Sequence, residues 1–168
     1  PENDYFVAGD NGVGYLNPMA FANSLHEGIY GDLDSWAAYN KQAYERFDID
    51  YTGFVVTRAS MPKEVVECYA KFCDGMATNY PYNGEAVDGI QTVSSIDYSG
   101  SVEDLVKNFA VKQTGDESTF RNIRFILRDP TNVIELYEKL MSDEYKDYNF
   151  RVVDPYTFYG LMAQQNAQ

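Results

Sequence analysis

Residues 7–18 read VAGDNGVGYLNP, which places a carboxylate, two amides, a tyrosine and three glycines on and around one loop after a short apolar run. Asp10 can move a proton or hold a cation. Asn11 and Asn17 can donate and accept hydrogen bonds, and the Tyr15 ring can stack on a flat apolar surface. A phosphate-binding reading fails on spacing. Gly12 and Gly14 match the first two positions of G-x-G-x-x-G, but the third falls on Asn17 and no Walker lysine follows. A calcium loop counted from Asp10 needs an acid at its twelfth position, and that position is Phe21. What remains is a tight, glycine-permitted turn that presents Asp10, Asn11 and Tyr15 at a strand end.

Other chemistries have fewer residues to work with. His26 is the single histidine, so any nucleophile–imidazole arrangement depends on it, and "FANSLHEGIYG" holds no nucleophile motif. Cys68 and Cys73 lie five apart on an expected helix, facing different ways, which suits neither a disulfide nor a zinc site. In "FDIDYTGF", Asp48 and Asp50 share one face of an extended chain but precede their strand. No cofactor or metal is implied.

The elements that must position these groups alternate. "DYFVAG" reads as a strand. A helical tract from Pro18 to Phe47 is broken at "EGIYGDLDSW", with Asp34 or Ser35 able to cap its second half, where Trp36, Tyr39, Ala43 and Phe47 share a face. "YTGFVVTRA" is a strand and "MPKEVVECYAKFC" a helix. Residues 74–89 form a turn-rich middle, and "IQTVSSIDY" is the next strand. "SVEDLVKNFAVKQ" is a helix capped by Ser101, "FRNIRFILRD" a strand, and "PTNVIELYEKLMSDE" a helix. "NFRVVD" is a final strand before the terminal helix "PYTFYGLMAQQ". Five strands alternating with helices predict one α/β domain over residues 1–168 with a mostly parallel sheet, either open or curled into a barrel or partial barrel.

In such sheets ligands collect beyond the carboxyl ends of the strands. The residues placed there are Asp10, Asn11, Tyr15 and Asn17, then Arg58 and Ser60, then Asp74, Asn79, Tyr80 and Tyr82 of the middle loop. Asp97 and Tyr98, Arg128 and Asp129, and Asp154 and Tyr156 follow the later strands. Acids, amides and tyrosines with few cations suit a sugar, whose hydroxyls need hydrogen bonds and whose apolar face accepts a ring. Asp129 and Asp154 are accounted for as helix caps. The composition agrees. Fifteen Tyr and ten Phe against one Trp give many rings with a polar handle, and a net charge of −13 opposes nucleic acid and anionic membrane surfaces. No apolar run reaches the length of a membrane-spanning helix.

"GVGYLNP", Gly12 to Pro18, resembles the motif of the GxGYxYP family of putative glycoside hydrolases, matching at Gly12, Gly14, Tyr15 and Pro18. Asn17 stands where the motif has its second tyrosine. The order of the later segments, "FDIDYTGF", the Tyr-rich middle and "NFRVVDPYTFYGLM", extends the resemblance over nearly the whole chain. The resemblance implies the C-terminal domain of a larger, exported bacterial protein, extracellular or periplasmic, that binds or hydrolyses a glycan. The start at Pro1 fits an upstream domain as a further partner. Hydrolysis requires two carboxyl groups about the glycosidic bond, and Asp10, Asp97 and Asp74 are the candidates in that order. Asn11, Tyr15, Asn17, Arg58, Tyr80 and Tyr82 would hold the saccharide. The alternative is a non-catalytic saccharide-binding or structural domain.

Overall fold

The computed structural model describes residues 5–19, 32–57, 60–110, 117–126 and 129–168. Among them lie six strands: β1 (Ala8–Asp10), β2 (Tyr51–Val55), β3 (Gly75–Thr78), β4 (Asn83–Val87), β5 (Ile90–Asp97) and β6 (Asn122–Arg124). The sheet order is β1-β2-β3-β5-β4, with β6 pairing the last residues of β5. Every pairing is parallel except β4 with β5. The expected α/β architecture with a mostly parallel sheet is observed, curled into a half-barrel. One contact reflects the curl. Arg124 on β6 reaches the Phe54 ring on β2 although β3 and β5 lie between them, a span of about 14 Å in a flat sheet.

Helices α1 (Leu33–Phe47), α2 (Lys63–Tyr69), α3 (Val102–Phe109) and α4 (Thr131–Leu140) cover the convex face. Strand alternation decides what they meet: Ala8, Val55, Met76 and Ile90 pack with Trp36, Tyr44 and Val65, while Ile96 and Ile123 pack with Leu105, Leu136 and Leu140. Alternate residues point the other way. Tyr51, Ala77 and Val93 meet Tyr159 and Met162 of α5 (Pro155–Asn166), so the C-terminal helix covers the amino-terminal part of the concave face. A polar chain runs through the convex core: Tyr44 Oη lies 2.7 Å from Thr52 Oγ1, itself 3.3 Å from Cys73 Sγ. Cys73 spends its one proton on the Gly75 carbonyl, so Thr52 donates to sulfur and Tyr44 donates to Thr52. Burial pushes the Cys73 thiol up to about 11. Cys68 and Cys73 are both free and buried, in keeping with their spacing.

Several local expectations change. The α1 cap is Asp32, whose carboxylate accepts the Ser35 N–H at 2.7 Å, rather than Asp34 or Ser35. The buried face of α1 is Trp36, Ala37, Asn40 and Tyr44, while Tyr39 and Phe47 are exposed, because a buried Asn40 disguises the stripe. The middle stretch holds β3 and β4. The β4–β5 hairpin closes on Asp88–Gly89, both at positive φ, the two-residue Asp-Gly turn whose twist suits a hairpin. Among its described residues "FRNIRFILRD" contributes three to the sheet, and "NFRVVD" forms no strand, with Val152 exposed. The tract before α1, with His26, falls outside the described residues.

Candidate functional site

Parallel strands bring the residues after β1, β2, β3, β5 and β6 to one edge, and two asparagines organise it. Asn11, at φ 59°, is 2% exposed. Its N–H donates to the Phe54 carbonyl at 2.9 Å, its Oδ1 accepts the Val56 N–H at 2.8 Å and its carbonyl accepts the Tyr69 hydroxyl at 3.2 Å. Asn79 accepts the Thr57 N–H at 2.6 Å. The segment leaving β2 is therefore gripped from both neighbouring strands, which is the work of Asn11 in the fold. Arg58, the next residue, lies outside the described set.

The GVGYLNP loop is anchored to α1. Asn40, fully buried, accepts the Val13 N–H at 2.7 Å and donates to the Trp36 carbonyl at 2.9 Å. A Cβ on Gly12, at φ 96°, would sit 2.4 Å from Asn40 Oδ1, so only glycine lets the loop approach the helix this closely. Tyr15 follows on this rigid base, itself at φ 59° and 71% exposed. Asn17 is exposed and accepts the Met19 N–H at 3.0 Å.

The concave face carries a second arrangement at the same edge. The register between β2 and β3 slips between Thr52 and Val55, a bulge that turns Phe54 onto the concave side. The Arg124 Cζ stands 3.4 Å from the Phe54 ring centroid. Asp97 accepts from Arg124 Nε at 2.7 Å and Nη2 at 3.0 Å, a bidentate pair, and below it Ser95 Oγ donates to Asn122 Oδ1 at 2.7 Å. Arg124 and Phe54 were not anticipated from sequence. The alternation Asn122-Ile123-Arg124-Phe125 signals that Arg124 shares a face with Asn122, and the register of β6 on β5 is what sets it opposite Asp97.

The remaining candidates separate. Asp10 ends β1 in register with Phe54, at the same edge as Asp97. Asp74 precedes β3 and so lies at the amino edge. From the β3–β5 register it is about seven residues, roughly 23 Å, from Asp97 along the strands, well beyond the roughly 5–9.5 Å of paired glycosidase carboxyls. Tyr82 is a core residue whose hydroxyl accepts the Met61 N–H, and half-buried Tyr80 packs against it with ring centroids 4.9 Å apart.

Asp74 instead joins Asp48 and Asp50, beside a hollow of about 330 Å³ lined by Lys41, Glu45, Asp48 and Asp50. Burial, then the charges of Asp74 and Asp48, holds the Asp50 carboxyl above its ordinary range. A raised carboxyl leaves the native state with more protons than the unfolded chain, so this group's contribution to stability falls as pH rises through that window. Asp50→Asn is expected to stabilise the fold by about 0.5 kcal/mol at pH 7, a gain that shrinks as pH falls through the raised range of the native carboxyl and is gone by about pH 3, below the ordinary value of 3.8. Urea unfolding at both pH values checks it, and a loss of stability at pH 7 would contradict the repulsion.

The family model for the GxGYxYP putative glycoside hydrolase C-terminal domain matches residues 1–163. The chain belongs to this family. No curated protein and no solved structure matches it. In this GxGYxYP domain the motif glycine Gly12 and Tyr15 have distinct parts, the first bringing the loop against Asn40 and the second standing out from it. Among the described residues no helix is long and apolar enough to cross a membrane, and no group of three His, Cys, Asp or Glu side chains could hold a metal ion.

Proposed function

We propose that this GxGYxYP domain binds a saccharide over the carboxyl edge of its half-barrel, as part of an exported carbohydrate-active protein, with Tyr15 as the stacking platform. The observation that carries the reading is Tyr15 itself, a large ring left 71% exposed on a loop locked by Asn11 and Asn40. Its left-handed backbone costs a non-glycine residue roughly 1–2 kcal/mol, strain that is retained where the side chain has work to do. Asp10 and Asn17 flank the ring in sequence and supply polar contacts, and Arg58 completes the saccharide-holding set. Binding is favoured over hydrolysis because both oxygens of Asp97 are engaged by Arg124 and Asp74 lies at the other edge. Hydrolysis would have Asp10 act with a second carboxyl, one supplied by another domain of the parent protein.

Tyr15→Gly separates function from folding. It is expected to raise unfolding stability by about 0.5–1 kcal/mol through relief of the positive φ, while weakening saccharide binding about tenfold through loss of the ring. Amide-resolved NMR titration with a panel of oligosaccharides, alongside urea unfolding, reads both quantities. Unchanged binding together with lost stability would make the loop a purely structural device.

A further inference from the structure

We infer that Arg124 is a ligand-contacting residue of this edge, selecting a neutral saccharide with adjacent hydroxyls over an acidic one, with Phe54 and Asp97 as its positioning residues. The inference rests on the saccharide reading above and names the substrate class.

A guanidinium offers two edges for paired acceptors. Asp97 occupies the Nε–Nη2 edge, at 2.7 and 3.0 Å, so the end-on Nη1–Nη2 edge lies outside that pair. Phe54 covers one face of the group at 3.4 Å, which removes the freedom of a long side chain to swing. Arg124 is thus held from two directions while a quarter of its side chain stays accessible. A fork fixed in this way matches two oxygens side by side, as on a carboxylate or on two neighbouring sugar hydroxyls.

Charge chooses between them. Asp97 compensates the guanidinium at contact distance, and the whole chain carries −13, so a uronate meets a neutralised pair inside a negative field. Two hydroxyls lose nothing by that compensation. They accept from the fork and can donate to the carboxylate beside it, which a ligand's own carboxylate group cannot do.

The test compares matched neutral and uronic oligosaccharides by NMR titration of the intact domain, with Arg124→Met, Arg124→Lys and Asp97→Asn. Arg124→Met keeps an apolar stem over Phe54, and its amide spectrum reports whether the sheet is retained. The unaltered domain is expected to favour the neutral sugar. Arg124→Met and Arg124→Lys should each weaken it about tenfold, since an ammonium lacks the fork. Asp97→Asn should raise uronate affinity about tenfold by uncovering the charge. Uronate preference in the unaltered domain, or neutral binding at the 10–18 loop that survives Arg124→Met, overturns this inference and leaves saccharide binding standing. No response to any saccharide overturns the functional reading and this inference with it.

Discussion

Gly12→Ala is expected to lower the unfolding free energy by about 3 kcal/mol, an effect out of proportion to one methyl group. A residue with a Cβ at φ 96° carries a backbone penalty of roughly 1–2 kcal/mol. The new Cβ would also stand 2.4 Å from Asn40 Oδ1, so the amide must retreat and release the buried Val13 N–H that it holds at 2.7 Å. Leaving that donor unpaired adds about 1–3 kcal/mol. Urea unfolding with an unchanged dependence on denaturant would give the loss directly. Asn40→Ala should destabilise by a similar route, and the double variant should lose less than the sum because both changes break the same contact. Strict additivity would mean that the loop and α1 are not coupled through Asn40.

Gly75→Ala should lower stability by about 2–3 kcal/mol for a different reason. Its backbone is ordinary, but a Cβ there would lie 2.5 Å from Tyr159 Cδ1 and 2.8 Å from two further ring atoms. The ring cannot step aside easily, since it stacks on Tyr51 with centroids 4.6 Å apart and packs edge-on against Phe158. The strain is expected to lift α5 from the concave face, which hydrogen exchange of the α5 amides would report. Gly9→Ala is the contrast, because nothing lies within 4 Å of its Cβ position. A Gly75→Ala domain with unchanged stability and protected α5 amides would show that the helix does not seal the sheet as described.

Much of the fold is legible in the sequence because it depends on neighbours a few residues apart. Ser101 is the cap of α3 and Asp154 the cap of α5, each accepting an N–H three residues on, as local spacing anticipates. The alternation that predicts a parallel sheet is equally local, and so is the Asp88–Gly89 turn, although the turn-rich character of residues 74–89 conceals the strands on either side. "NFRVVD" shows the limit of such reasoning. Its residues favour a strand, but a strand exists only when another chain segment supplies the hydrogen bonds, and among the described residues none does so here.

The candidate site divides along the same line. The sequence by itself determined the α/β class, the glycine-rich loop with an outward Tyr15, the family motif and the presence of Asp97 at a strand end, since each follows from residue type and short spacing. Only the tertiary structure decided that Asn11 and Tyr82 are consumed by the fold, that Asp74 lies at the far edge, and that Arg124 joins Asp97 beneath the Phe54 ring. These outcomes depend on register, on a bulge in β2 and on the curl of the sheet. All three are set by packing between segments distant in sequence, so no local pattern encodes which side chains finally meet.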